Sequence, residues 1–146
     1  KLTDLAENGM PIGKMLLSPT RTFAPVVKQV VEQYGQAIHG IVHNTGGRQT
    51  KCMKYVPGNV RLVKDNLFEQ PLIFKLIQQA SGIGYREMYQ VFNMGNRLDV
   101  YCSEAIANEI IALANSFSIE ARIIGRVEAA DQKELVIRSG FGEFVF

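Results

Sequence analysis

The chain has 146 residues, of which 47% are hydrophobic and 21% charged, and its 16 basic and 14 acidic residues give a formal net charge of +2. This length and composition are typical of one globular domain with an adequate core rather than of a disordered or fibrous protein. The charges form no basic stripe of the kind that nucleic-acid binding needs, and no apolar run approaches the roughly 18 residues of a membrane span or opens a signal peptide, so we expect a cytoplasmic protein without nucleic-acid or membrane partners.

Helical and strand patterns alternate along the chain. A proline at the first helical position and a glycine after the last are typical of helix boundaries, and they delimit helices that open at Pro25 and Pro71. The predicted elements are a short helix at 11–17, a helix at 25–34, a strand at 37–42, helical turns at 52–56, a strand at 59–64, a helix at 71–81, a short helix at 85–92, a strand at 98–102, a helix that Ser103 caps and that reaches 117, strands at 119–127 and 134–138, and an edge strand at 141–146. This order favours a single α/β (α+β) domain, residues 1–146, in which helices cover a mixed β-sheet.

A polar stretch that contains glycines follows the strand predicted at 37–42. It reads His43-Asn44-Thr45-Gly46-Gly47-Arg48 and leads into the helical turns at 52–56. A strand that ends in a glycine turn before a helical turn can point consecutive backbone N–H groups at one anion. Two adjacent glycines after a strand also form plain tight turns, so the residues alone leave an anion site and a structural turn open.

Four segments together resemble the carboxy-terminal half of phosphoribosylformylglycinamidine cyclo-ligase, also called aminoimidazole ribonucleotide synthetase. The similarity extends from about Pro11 to Val127, and the motifs occur in the family's order and at its spacing. The segments are Leu16-Leu17-Ser18-Pro19-Thr20-Arg21, Gly40-Ile41-Val42-His43-Asn44-Thr45-Gly46-Gly47, Met88-Tyr89-Gln90-Val91-Phe92-Asn93-Met94-Gly95 and Ile123-Ile124-Gly125-Arg126-Val127.

The resemblance implies an ATP-dependent step of purine biosynthesis, in which formylglycinamidine ribonucleotide is converted to aminoimidazole ribonucleotide. The formyl amide oxygen is phosphorylated, and a neighbouring nitrogen then closes the imidazole ring. The resemblance also implies a homodimer whose amino-terminal domains bind ATP and most of the Mg²⁺. Because the chain does not begin with Met and has no Walker-type loop, we expect a carboxy-terminal half that supplies one wall of the active site and is inactive when isolated.

Site residues follow from the same resemblance. His43 is the catalytic candidate at the substrate edge of the cleft. Thr45, Gly46 and Gly47 are expected to cradle a phosphate or carboxamide. Arg48 is not part of the family pattern, and its guanidinium could strengthen phosphate binding through bidentate contacts. The remaining candidates for substrate or phosphate binding are Asn93 and Gly95, on an opposing loop, and Arg21, which could contact a ribose phosphate or form a surface ion pair.

No metal ligands are predicted, because neither Cys52 nor Cys102 has a His or Cys at metal-ligand spacing. We expect both cysteines and His39 to have structural roles only. His43 could likewise be a structural histidine that bonds a neighbouring loop, and Asn93 could be an ordinary turn residue.

Two residues depart from the family pattern. The family usually has a third glycine in place of Arg48 and an apolar residue in place of Asn44. The loop of this chain could therefore have a different function. The alternatives are a non-catalytic ligand-binding or dimerisation module on the same fold, and a related enzyme such as selenophosphate synthetase or the hydrogenase-maturation carbamoyl dehydratase. Phe92-Asn93-Met94-Gly95 and Pro19-Thr20-Arg21 favour the cyclo-ligase over these alternatives.

Overall fold

The computed structural model describes residues 1–19, 21–46 and 49–146. Its helices are α1 (Ile12–Leu16), α2 (Ala24–Tyr34), α3 (Leu72–Ser81), α4 (Tyr85–Val91) and α5 (Ala107–Ser116), and its strands are β1 (Ile38–His43), β2 (Val60–Lys64), β3 (Leu98–Cys102), β4 (Gly125–Ala129), β5 (Glu134–Ser139) and β6 (Gly142–Val145). Short 3-10 segments lie at Gly35–Ala37, Gln49–Lys54 and Glu104–Ile106. The predicted α/β (α+β) class is confirmed. None of the helices in the described ranges has the length and apolar character needed to cross a membrane.

The strands divide between two sheets. A mixed sheet has the order β4-β2-β5-β6, in which β2 runs antiparallel to β4 and parallel to β5, and β6 forms one edge as the sequence predicted. The strands β1 and β3 form a separate antiparallel pair, with Val42 opposite Asp99 and His43 opposite Leu98. The end of β1 therefore lies beside the start of β3.

Two hydrophobic clusters cover the β1–β3 pair from opposite sides. Successive side chains of a strand point to opposite faces, so Val100 packs against the cluster from α2 and α5 while Tyr101 packs against the main core. The main core consists of Val42, Cys52, Leu62, Met88, Tyr89, Met94, Leu135 and Ile137, and the smaller one of Val26, Val30, Ile110 and Ala114. Both faces of β3 are therefore covered.

The strand predicted at 119–127 is also wrong for most of its length. Residues 119–124 are not in a strand, and β4 covers only Gly125–Ala129. The carbonyl of Ile124 accepts the backbone N–H groups of Asp65 and Asn66, each at 3.1 Å. The apolar residues Ile119 and Ala121 of this segment pack against the α2 and α5 cluster instead of forming a strand.

The cap predicted for α5 is not formed either. The hydroxyl of Ser103 makes no capping hydrogen bond, and a 3-10 segment precedes the helix, which begins at Ala107. The hydroxyl instead lies 3.5 Å from His39 Nε2.

Candidate functional site

The candidate site lies where β1 leaves the sheet. His43 is the last residue of β1, and Asn44 extends the pairing by one more bond, from its backbone N–H to the carbonyl of Arg97 at 2.8 Å. Thr45 and Gly46 then form a turn. The φ of Gly46 is +65°, a conformation that favours glycine, and a Cβ at this position would meet no atom of the described residues beyond its chain neighbours within 4 Å. The chain thus turns outward immediately after the buried strand end.

Two of the predicted site residues, Gly47 and Arg48, lie outside the described residues, as does Thr20 of the first motif. Their predicted roles stay predictions. The described part of the site is therefore His43 to Gly46 on one side and Gln49 onward on the other.

The imidazole of His43 is half-buried and held by packing. The ring of Phe23 meets it edge-on, with a centroid distance of 5.5 Å and an interplanar angle of 84°. Its Nε2 atom is buried and has no hydrogen-bond partner in the described ranges. Most buried polar atoms are hydrogen-bonded, and an unpaired one calls for an explanation. Nε2 is therefore a polar atom that the described residues leave unsatisfied.

Lys51 brings a positive charge to the same loop. Its Nζ donates to the carbonyl of His43 at 2.8 Å and to that of Thr45 at 3.4 Å. It belongs to none of the ion pairs that the described residues form. The sequence reasoning missed Lys51, although a lysine in the helical turns that follow a glycine turn is a usable signal for a phosphate contact.

A group of buried polar side chains lies directly behind the loop. In the described part of the chain, the polar residues that are almost fully buried are Asn44, Gln49, Lys64, Asn96 and Asp99. We call these residues the polar network, because all of them are joined by hydrogen bonds. At its centre is an ion pair between Lys64 Nζ and Asp99 Oδ2 at 2.7 Å, with side chains only 4% and 3% exposed.

The amide side chains connect this ion pair to both sides of the loop. Asn44 Nδ2 donates to Asp99 Oδ1 at 3.0 Å, and Lys64 Nζ donates to Gln49 Oε1 at 2.8 Å. Asn44 and Gln49 also donate to one shared acceptor, the backbone carbonyl of Asn96, at 3.0 and 3.1 Å. The side chain of Asn44 therefore lies in polar surroundings.

Cys52 and Tyr101 border the polar network without adding a reactive group to it. Burial raises the pKa of the Cys52 thiol, whose Sγ lies 3.2 Å from the carbonyl of Gln49. Burial also raises the pKa of the Tyr101 phenol. Both groups stay protonated near neutral pH, which suits the structural role predicted for Cys52. Cys102 is a free, half-buried thiol that packs against the smaller cluster.

Asn93 and Gly95 border the loop from the other side, and their observed contacts are structural. Asn93 Oδ1 accepts the backbone N–H of Gly95 at 3.0 Å, and the Asn93 carbonyl accepts Gln49 Nε2 at 2.7 Å. Gly95 has a φ of +98°, and a Cβ there would lie 2.9 Å from Pro71 Cδ. The structure places this loop against the candidate site, while substrate binding by these two residues stays a prediction.

Arg21 is anchored away from the loop. Its guanidinium donates to the carbonyl of Ser118 at 2.9 Å, and the side chain lines a small pocket of about 240 Å³ with Pro25 and Phe117. No described hydrogen bond joins it to His43, Thr45 or Gly46. The proposed ribose phosphate contact stays a prediction.

A second, larger cleft lies elsewhere, along α3 and the loop after β2. It measures about 740 Å³, and its lining includes Glu69, Gln70, Lys75, Tyr85 and Arg138. None of the predicted site residues in the described ranges lines this cleft, although Met94, between Asn93 and Gly95, does. Size alone therefore does not locate the chemistry predicted from the sequence.

Comparison with known proteins gives one consistent result. The chain is 35% identical over 126 residues to the phosphoribosylformylglycinamidine cyclo-ligase of Methanocaldococcus jannaschii, a match that covers 86% of this chain and 36% of that protein. It is 37% identical over 121 residues to the enzyme of the same name from Methanococcus vannielii, covering 82% and 34%. The corresponding protein of Carboxydothermus hydrogenoformans is 32% identical over 131 residues, covering 89% and 38%.

These relatives differ from the chain in length. The chain spans about a third of the length of the curated relatives it matches. No family model matches it. The similarity is therefore to one part of each relative, and it extends over most of this chain.

Proposed function

Because the chain belongs to the phosphoribosylformylglycinamidine cyclo-ligase family, we propose that it supplies one wall of the active site of such an enzyme. In this proposal the complete enzyme is a cytoplasmic homodimer. It converts formylglycinamidine ribonucleotide to aminoimidazole ribonucleotide at the expense of ATP. An amino-terminal domain of the same enzyme is the partner that holds the nucleotide.

The observation that carries the proposal is the grouping at the end of β1. One loop contains the Nε2 of His43, which has no partner among the described residues, the left-handed turn at Gly46 and the ammonium of Lys51. Backbone N–H groups and a cation are the donors that bind phosphate groups. A ribonucleotide phosphate or a phosphorylated intermediate has the charge and the acceptor oxygens that this loop fits.

The same loop does not fit Mg²⁺, which prefers carboxylate and water oxygens. The carboxylate nearest to it in the network, that of Asp99, is occupied on both oxygens, by Lys64 and by Asn44. In the described ranges, no group of three or more His, Cys, Asp or Glu side chains converges. We therefore assign Mg²⁺ and ATP mainly to the rest of the enzyme.

In this proposal the chain contributes positioning and charge neutralisation, on which phosphoryl transfer chiefly depends. Lys51 and the N–H groups of the turn hold the negative oxygens of the substrate. His43 holds or accepts a proton at Nε2 when the ring-closing nitrogen attacks the formyl carbon and the phosphate leaves.

Phosphate should bind to the 146-residue chain at this turn. In an amide NMR titration with inorganic phosphate, we expect the signals of Gly46 and Gly47 to move together with one dissociation constant. Lys51→Met should weaken that constant by about tenfold, the scale of one charge-assisted hydrogen bond.

The matched control is Lys54→Met, which removes an exposed lysine from the same 3-10 segment and should leave the titration unchanged. Signals of Gly46 and Gly47 that do not respond to phosphate would count against the anion site. If both lysine variants weaken phosphate binding equally, the binding reflects the overall positive charge of the segment and not a specific site.

The isolated chain should not catalyse the cyclisation. The relatives are much longer than the segment that matches, and the nucleotide site is proposed to lie in the remainder. The purified chain with formylglycinamidine ribonucleotide and ATP should give no aminoimidazole ribonucleotide, whereas the complete enzyme should form it. Product from the isolated chain would refute this division of the active site.

A further inference from the structure

We propose that Lys64 and Asp99 are positioning residues, which act through Asn44 and Gln49 to fix both ends of the anion-binding loop. This inference rests on the proposed function of that loop. It assigns a role to the polar network, which the sequence reasoning did not single out. Neither Lys64 nor Asp99 is proposed to touch the substrate.

The first argument is the place of the amide side chains in the sequence. Asn44 and Gln49 immediately flank residues 45–48, and both are turned inward, with 1% and 0% of their surface exposed. Each is a fixed point next to the loop. A loop whose two flanking residues are tied together has fewer conformations available than one whose ends move independently.

The second argument is that the hydrogen bonds form a closed ring. One path runs from Asn44 through Asp99 and Lys64 to Gln49, in steps of 3.0, 2.7 and 2.8 Å. The other path runs through the backbone carbonyl of Asn96, which accepts from both amides. The two ends of the loop are thus connected twice, once through a charged pair and once through the main chain.

The third argument concerns charge. A buried ion pair is weak support for stability, since apolar residues of similar volume often do as well. Lys64 is also neutralised by Asp99 at 2.7 Å, so it adds little attraction for an anion. What the pair does provide is directional bonding, and binding groups must be held within roughly 0.5 Å of their working geometry.

The test uses a double variant that removes both charges and keeps similar volume, Lys64→Met with Asp99→Leu. Its ¹⁵N relaxation should show a lower order parameter at the Gly46 amide, falling toward the roughly 0.6 that marks flexible backbone. Phosphate affinity at the Gly46 amide should fall at least about tenfold, and in the complete enzyme KM should rise by a similar factor. Asn44→Leu keeps the ion pair and removes the side-chain hydrogen bonds at one end of the loop. It provides the same measurements if the double variant does not fold.

The matched control is Arg61→Met with Glu134→Leu, which removes an ion pair that also involves β2 but lies at the surface. In this control variant, the order parameter of the Gly46 amide, the phosphate affinity and KM should all equal those of the unsubstituted protein. A folded double variant with unchanged Gly46 dynamics would overturn the inference. If the unchanged chain itself fails to bind phosphate, the proposed function fails, while the relaxation comparison still decides whether the network positions the loop.

Discussion

Asp99→Leu should lower the free energy of unfolding by about 3–5 kcal/mol, the usual result of removing one partner from a buried ion pair. The ammonium of Lys64 would remain only 4% exposed, with Gln49 as its remaining partner. Asn44 Nδ2 would lose one of its two acceptors. Urea unfolding followed by circular dichroism measures the change.

Removing both charges should cost less than removing one. Lys64→Met combined with Asp99→Leu leaves no unpaired charge. The remaining loss of stability comes mainly from the side-chain carbonyl oxygen of Gln49, Oε1, which loses its bond from Lys64. Arg61→Met, at an exposed ion pair of the same strand, should change the unfolding curve little. If the double variant is less stable than Asp99→Leu, the account of the buried ion pair is wrong.

His43→Ala should lower the turnover of the complete enzyme by roughly 10² or more, the usual scale for a positioned proton donor or acceptor. Stability should change little, because Nε2 has no partner among the described residues to leave behind. The edge contact with Phe23 is worth only about 0.5–1.5 kcal/mol. Turnover per folded molecule and the melting temperature are measured separately on the same variant.

His39 provides the matched control for this change. It lies on the same strand but is exposed, and its ring faces the hydroxyl of Ser103. His39→Ala should leave turnover unchanged. A clear fall in melting temperature with normal turnover in His43→Ala would assign His43 to the structure, as the alternative interpretation of the sequence allowed.

Helices bounded by a proline and a glycine were predictable from the sequence. For α2 and α3, a proline near the start and a glycine at the end set the limits within a residue or two. The φ of +71° at Gly82 shows the physical basis, since this conformation ends a helix and favours glycine. Such local signals do not depend on what packs against the element.

Burial of polar residues was not predictable in the same way. A charged residue that alternates with apolar ones along a strand, as Asp99 does in β3, is typical of a solvent-facing side. A lysine at the end of a strand, as at Lys64, is likewise typical of an exposed position. Only the folded structure brings Lys64 Nζ to 2.7 Å from Asp99 Oδ2, because the two residues are 35 positions apart in the sequence. Long-range ion pairs of this kind have no periodic signature.

The candidate site was predicted in part for a related reason. The resemblance identified the loop from His43 onward, and the structure places Asn93 against it through Gln49. It did not identify Lys51, because the motifs that carry the resemblance end at Gly47 and resume only at Met88. The roles of His43, Thr45 and Gly46 remain proposals that rest on geometry and family membership.

The most direct test of the central claim is the reaction of the complete enzyme that contains this chain. Supplied with formylglycinamidine ribonucleotide, ATP and Mg²⁺, it should form aminoimidazole ribonucleotide, ADP and phosphate in equal amounts. No aminoimidazole ribonucleotide from the folded, complete protein, or ATP cleavage that requires selenide instead of the ribonucleotide, would contradict the account.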